Sequence, residues 1–337
     1  MKQEIFDFDI ENYEVGVQHQ EFITFPTFFG VSRQEVPFYI HRATEEISPC
    51  VVVTACIHGD EINALRVAQK LMQDKLKITK GTLIIFPLIN IYGFYNKSRY
   101  LPDRKDLNRF FPGNQNGSFG SKFADFCFKF ISRYGDIYLD LHSGGKGRFN
   151  IPQIRIDMKD NQLKKILPNL SIPVAVNSRP GSGSLRGALK AIDKPCIVYE
   201  GGEGLRLNTS ITNYGVNFVK SVLVEYKMLK PKKLLQRETL RLMKTSWMRT
   251  ERGGLMINKV KPGKVIQKGE VLGEVRKVTG ALLHKIIAPQ NAVIIGISES
   301  ALLMTGDPLY HLGYFKESDC DEEDNYLDYY DIDIAEE

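Results

Sequence analysis

The chain has 337 residues, 43% apolar and 25% charged, an ordinary globular composition with room for one large domain or a large and a small one. No run approaches the roughly 20 apolar residues that span a bilayer, and the acidic start lacks a signal-peptide layout, so a membrane or secreted protein is not expected and the cytoplasm is. The net charge of +5 hides an asymmetry: residues 1–316 hold 45 Lys and Arg against 29 Asp and Glu, a body suited to anionic partners, whereas residues 317–337 hold eleven acids and no base.

Residues 1–48 mix short aromatic runs with polar residues, and 36–41 read as a strand near a sheet edge. His19 and His41 are isolated there and are read as structural or surface residues. The β-branched run 51–55 predicts a buried strand, and 62–72 an amphipathic helix. A second buried strand over 81–87 opens into a long irregular passage, 90–117, of the kind that carries function. Residues 119–134 have helical spacing, with Phe123, Phe126, Phe130 and Ile131 on one side as core. A third strand over 136–141 leads into His142. Short strands follow at 173–176 and 195–199, separated by the turn-rich 179–184, and a helix over 214–229 closes this part.

Strands alternating with helices predict an α/β fold, a mostly parallel or mixed sheet sandwiched by helices. Residues 230–244 read as a basic connector. From Gly253 to Gly313 helical periodicity is lost, and turns at Lys261-Pro262-Gly263, Lys268-Gly269 and Gly306-Asp307-Pro308 predict short strands. The expected organisation is therefore residues 1–244 as the α/β domain, 245–316 as a small all-β domain, and 317–337 as an acidic tail. The five cysteines (Cys50, Cys56, Cys127, Cys196, Cys320) have no metal-type spacing and are read as reduced and buried. No zinc finger, RNA-binding signature or aromatic-interleaved basic stripe points to nucleic acid.

Three predicted strands end in chemistry: His58 with Glu61, then His142, then Glu200. Two histidines and a carboxylate, with a fourth position for water, are the ligand set of a catalytic zinc site, where the pKa of bound water falls to about 7. A separate carboxylate must take the proton of that water, and Glu200 is the candidate. A lone His-x-x-Glu says little; its company at strand ends carries the reading. The passage 90–117 adds arginines whose planar forks bind carboxylates or an oxyanion. Arg104 is read as a surface partner of Asp103 and Asp106, and Arg99 and Arg109 as site residues.

Taken together, His58-Gly59-Asp60-Glu61, the run Ser98-Arg99-Tyr100-Leu101-Pro102-Asp103-Arg104-Lys105-Asp106-Leu107-Asn108-Arg109, Asp140-Leu141-His142-Ser143 and Glu200-Gly201-Gly202-Glu203 resemble the succinylglutamate desuccinylase/aspartoacylase family, which shares the zinc carboxypeptidase fold. The resemblance covers about residues 25–316. It implies one zinc per chain on His58, Glu61 and His142, with Glu200 as general base and acid. It further implies that Arg99 polarises the scissile carbonyl and that Asn108 and Arg109 hold a substrate carboxylate, with Asp106 orienting them. Arg186 is a candidate for the acyl end of the substrate, set against a role in a structural turn.

The β domain resembles the barrel-like sandwich of biotinyl and lipoyl carriers. The carrier's modified position reads Thr279 here, with Lys277 nearby, so covalent attachment is not expected. His284 and His311 are read as structural, and the domain as a wall over the active-site mouth. The expected activity is zinc-dependent cleavage of an N-acyl amino acid or similar small anionic amide. The rivals are a carboxypeptidase acting on a peptide or polyglutamate-like chain and a non-catalytic binding protein on the same scaffold. Expected partners are that small anionic substrate or an acidic peptide, with no nucleic acid and no membrane; a homo-oligomer is left open.

Overall fold

Period-two alternation in three buried strands divides the interior. Val51, Val53, Leu83, Ile85, Leu139 and Leu141 point into one core, while Val52, Ile84, Phe86 and Tyr138 point into another on the opposite face. The computed structural model describes residues 8–25, 34–74, 76–231 and 239–315. In chain order these form β1 (Gln18–Phe25), β2 (Gln34–Arg42), β3 (Cys50–Ala55), α1 (Ile62–Gln73), β4 (Thr82–Phe86), α2 (Ile91–Tyr95), α3 (Phe119–Ile131), β5 (Ile137–His142), β6 (Arg148–Ile156), α4 (Asn161–Ile166), β7 (Val174–Asn177), α5 (Leu185–Lys190), β8 (Cys196–Gly202) and α6 (Thr209–Glu225). Strands alone follow: β9 (Leu240–Leu242), β10 (Lys244–Arg249), β11 (Gly254–Asn258), β12 (Val265–Ile266), β13 (Val271–Arg276), β14 (Leu282–Ile287), β15 (Ala292–Ser298), β16 (Leu302–Leu303) and β17 (Pro308–Tyr314).

The main sheet runs β1-β2-β4-β3-β5-β8-β6-β15-β17-β10. Along this path the centre, β4-β3-β5-β8, is parallel, and β2 joins β4, and β6 joins β8, antiparallel; off the path, β7 pairs parallel with β6 and with β9. Helices α1 and α6 cover one face through Val67 and Val219, and α3 covers the other through Phe123 and Phe130. The α/β sandwich is thus as expected, around a mixed sheet with a parallel centre. Among the described residues no helix is long and apolar enough to cross a membrane.

Several boundaries differ from the sequence reading. The last helix begins at Thr209 rather than 214, because Asn208 caps it by accepting from the Ile211 amide. The passage 90–117 contains α2 and a 3-10 turn at Leu107–Arg109. Strands β1 and β6 and helices α4 and α5 were not anticipated. The C-terminal region is all strand, as expected, with β14-β13-β11-β16 as a separate four-stranded sheet. Its β15, β17 and β10 nevertheless extend the main sheet through β6, so backbone hydrogen bonding crosses residue 244. Part of the expected connector (232–238) and the acidic segment 317–337, with Cys320, lie outside the described residues. Cys50, Cys56, Cys127 and Cys196 are free and buried, and burial pushes their thiols up.

The fork in the sheet lies on β6. Its first residues, Arg148 to Asn150, pair with β15, and its last, Gln153 to Ile156, pair with β7. Pro152 sits between the two stretches, where a missing backbone N–H costs no ladder bond.

His311 on β17 is 3% exposed and stacks on Trp247 of β10 with ring centroids 4.8 Å apart. Burial, then Arg155, pushes its pKa down to about 3. The unfolded chain therefore binds the proton more readily, and stability contributed by neutral His311 is lost as pH falls below about 6.5. Between pH 7.5 and 5 the expected loss is about 2 kcal/mol. Urea titrations of the wild type and His311→Asn at both pH values check this; equal pH slopes in the two proteins would rule it out.

Candidate metal centre and active-site cavity

The chain leaves β3 through Cys56, in the left-handed region at φ 53°, and reaches His58 and Glu61 before α1 starts. Residue 59 has to be glycine: a β-carbon there would lie 2.0 Å from the Gly93 carbonyl carbon. Glu61 holds the N-cap position of α1 without capping it by its side chain. Its carboxylate turns to the histidines, with Oε1 2.7 Å from His58 Nδ1 and Oε2 2.8 Å from His142 Nδ1. Oε2 also accepts the Ser143 amide at 3.1 Å.

The far sides of both rings face carboxylates. His58 Nε2 lies 3.1 Å from Asp106 Oδ1, and His142 Nε2 lies 2.9 Å from Asp140 Oδ2. Thr54, in register with Asp140 across β3 and β5, donates its hydroxyl to Asp140 Oδ1 at 2.8 Å. Each ring thus has a carboxylate at both nitrogens, and in the neutral tautomer with its hydrogen on Nε2, held by Asp106 or Asp140, Nδ1 turns a lone pair toward the centre. These Nδ1 atoms are 3.2 Å apart, and the two Glu61 oxygens close the group at 2.7 and 2.8 Å. His58, Glu61 and His142 therefore form a buried group of acceptors, all within 4.8 Å of one another, that fits a metal cation.

The electrostatics reflect the same acidic surroundings. Burial opposes charge on both rings, but Glu61 and Asp106 outweigh it at His58, and Asp140 and Glu61 outweigh it further at His142, so both pKa values are raised. Against its own burial, Glu61 is held well below the usual carboxylate range by His58 and His142. Asp106 is likewise held low, against burial, by His58 and Arg99.

One cavity of about 540 Å³ gathers the rest; His58, Glu61, Arg99, Asn108, Arg109, His142, Arg186 and Glu200 all line it. Arg99 gives Nε and Nη2 to Asp106 Oδ2 at 3.1 and 2.9 Å and Nη1 to Glu61 Oε1 at 3.3 Å. Asp106 is therefore taken up by His58 and Arg99 rather than by Arg104. Asn108 accepts the Leu185 amide on Oδ1 at 2.8 Å, which leaves its Nδ2 as a donor. Arg109 is largely exposed and reaches Asp106 only at 4.0 Å. Arg186 is different: its guanidinium donates to the carbonyls of Arg155 and Arg179 and to Ser178 Oγ, so it clamps the loop before α5 and its fork is already engaged.

Glu200 is the register partner of His142 on adjacent parallel strands, so the two side chains share a face. Asn150 Nδ2 donates to Glu200 Oε2 at 3.0 Å, and Arg155 Nε lies 3.3 Å from Oε1 without hydrogen-bond alignment. Both come from the unanticipated β6. Residues five apart on a regular strand face opposite sides, but the β6–β8 register slips between Asn150 and Gln153, which brings Asn150 and Arg155 to the same carboxylate. Asp140 carried a readable signal, since it lies two residues before His142 on one strand and so on the same face. Trp247, from the C-terminal strands, also lines the cavity.

Comparisons with known proteins match this picture. The N-alpha-acetyl-L-2,4-diaminobutyric acid deacetylase of Halomonas elongata is 36% identical over 106 residues, 31% of this chain and 31% of that protein. The match thus spans about a third of the length of that curated relative. The product-bound ectoine utilization protein EutE (DoeB) from Ruegeria pomeroyi superposes with a TM-score of 0.79 at 23% identity, covering 88% of this chain and 95% of that one. A succinylglutamate desuccinylase/aspartoacylase from Rhodobacter sphaeroides does so with a TM-score of 0.79 at 20% identity, covering 91% and 98%. At these identities the structures speak to fold. The profile of the succinylglutamate desuccinylase/aspartoacylase catalytic domain matches residues 48–226, more than half of the sequence and the stretch that carries His58, Glu61, His142 and Glu200, and the chain accordingly belongs to that family.

Proposed function

We propose that the protein is a zinc-dependent hydrolase that cleaves the amide of an N-acyl amino acid or similar small anionic amide, releasing a carboxylic acid and an amine. The observation that carries this reading is the buried group of His58, Glu61 and His142, whose facing Nδ1 atoms and carboxylate lie within 4.8 Å of one another, in a cavity that also holds Glu200 and Arg99. Two imidazole nitrogens and a carboxylate suit zinc, one per chain. When bound, zinc acidifies water and polarises a carbonyl oxygen.

The chain's residues supply the rest. Glu200 takes a proton from the attacking water on its carboxylate and hands it to the amide nitrogen as the C–N bond breaks. Asn150 holds Oε2 and so fixes the rotation of that carboxylate. Arg99, oriented by Asp106, turns its remaining N–H groups to the oxyanion. Asn108 Nδ2 and the Arg109 fork hold a substrate carboxylate. Arg186 acts by holding Ser178 and Arg179 at the cavity rather than by touching the acyl group.

The second reading, a carboxypeptidase acting on an acidic peptide, is favoured by Arg148 and Arg179, exposed cavity residues with no ion pair among the described residues. A screen of zinc-loaded protein against N-acetyl and N-succinyl amino acids, 2,4-diaminobutyrate derivatives among them, and short acidic peptides separates the two by amine release. At least one N-acyl amino acid is expected to be cleaved with kcat/KM ten times that of any peptide or more. Exclusive release of C-terminal residues from peptides would replace this reading with the second.

A further inference from the structure

Asn150, the residue that holds Glu200 Oε2, stands between two glycines. Its register partners are Gly202 on β8 and Gly296 on β15, so no directly opposed side chain crowds it from either neighbouring strand. Glu200 lies two residues before Gly202 on β8, hence on the same face and within diagonal reach of Asn150. A carboxylate only accepts, so the Asn150 amide turns Nδ2 to Glu200 and Oδ1 away from it. That oxygen occupies the space a side chain on Gly296 would need. A β-carbon on Gly296 would lie 2.6 Å from Asn150 Oδ1, but 3.3 Å from the His311 β-carbon and from the Phe149 carbonyl oxygen. The group that would have to give way is therefore the end of the Asn150 side chain and not the backbone.

Strand β15 holds β6 a second time. Their ladder covers Arg148 to Asn150 only, yet the buried Gln153, register partner of Glu200, donates Nε2 to the Ile295 carbonyl at 3.0 Å. Ile295 is the residue skipped in the β15–β17 register, and a residue left out of a ladder has a carbonyl to give. The stretch of β6 that slips past β8 is thus gripped by β15 at both of its ends.

We infer that Gly296 is a positioning residue for the general base: the space it leaves lets Asn150 hold the Glu200 carboxylate, so the C-terminal strands orient the base as well as lining the cavity through Trp247. Gly296 lies outside residues 48–226, and the matched catalytic region therefore does not contain the whole device. The inference rests on the role of Glu200 in the proposed amide hydrolysis.

The test is a double-mutant cycle on the zinc-loaded protein, with an N-acyl amino acid that it cleaves. Gly296→Ala is expected to lower kcat about tenfold or more, with KM within about threefold of the wild type and one zinc per chain, because the displaced amide releases Glu200. Asn150→Ala should lose about as much, and so should Asn150→Asp, which keeps the shape and removes the donor. In the Asn150→Ala background, Gly296→Ala should change kcat by less than about threefold. Equal losses in both backgrounds would make Gly296 a packing residue and overturn the inference, as would wild-type kcat in Gly296→Ala or Asn150→Asp. Should Gly296→Ala not fold, recovery of folded protein on adding Asn150→Ala supports the contact, and failure of the double variant as well overturns it. Crystal structures of the wild type and Gly296→Ala give a readout independent of turnover. The separation of Asn150 Nδ2 from Glu200 Oε2 is expected to open from 3.0 Å to beyond about 3.5 Å, and an unchanged contact overturns the inference. If no amide is cleaved, the proposed function fails, and that separation still decides whether Gly296 keeps Asn150 on Glu200.

Discussion

Glu200→Gln is expected to lower kcat by about 10²–10⁴-fold while KM stays within a few-fold and metal content stays at one ion per chain. The substitution keeps the shape of the side chain and an oxygen for Asn150 Nδ2, so the 3.0 Å contact that orients residue 200 survives. What it removes is basicity, at the position in register with His142. An amide oxygen cannot take the proton of the attacking water, and the leaving nitrogen then departs without one. Steady-state kinetics with metal analysis on the same sample decides the matter. A variant that keeps its zinc and turns over within tenfold of the wild type would move the role of base to another group. Loss of metal together with activity would instead make Glu200 part of the metal centre.

The second large effect concerns the metal itself. His142→Ala is expected to bring metal content from one ion per chain to under about a tenth, because zinc centres of this kind rest on three protein ligands. Asp140→Asn should be milder. The ring would lose its anionic partner at Nε2 while Nδ1 remains in place, and losses of 10–100-fold in affinity are usual for such outer partners. The chain Thr54–Asp140–His142 is buried throughout, so its geometry is fixed by packing between β3 and β5. Competition with a chelator, followed by zinc, resolves the series: His142→Ala near zero, Asp140→Asn intermediate, wild type tight. If His142→Ala keeps stoichiometric zinc, the ligand assignment falls. Activity untouched by exhaustive chelation would remove the metal from the reaction.

What the sequence disclosed follows from its physics. His58, His142 and Glu200 stand out because each lies just past a short, mainly apolar run (51–55, 137–141 and 196–199), with Glu61 three residues beyond His58, and buried strands announce themselves by such runs. The second anionic partner of the site, Asp106, stood in the quoted motif, and the structure gives it two contacts at once. Strand β6 was hidden for a physical reason. Its Pro152 and its register slip break the alternation that marks a strand, and the same irregularity lets Asn150 and Arg155 converge on Glu200. Helix α5 was hidden by its length and its Gly-Ser approach. Ser184 caps it, and the Asn108 side chain takes its first amide, a contact that no local pattern encodes. For Arg186 the sequence leaves the acyl end of a substrate and a structural turn both open; the groups its guanidinium meets, the Arg155 and Arg179 carbonyls and the Ser178 hydroxyl, are brought together only in the folded chain.

The contact between Gly59 and Gly93 reaches further than one turn. A β-carbon on Gly59 would strike the Gly93 backbone, and one on Gly93 would come within 2.6 Å of the Ser98 carbonyl oxygen. The segment that carries His58 and Glu61 is therefore seated directly on the segment that leads to Arg99, with no side chain between them to absorb a change. Recombination within the family has to respect that seam. A chimera that takes residues 56–61 from one relative and 90–109 from another would inherit two halves of a single moulding, whereas exchange of both segments together, or of the C-terminal strands alone, leaves the joint intact.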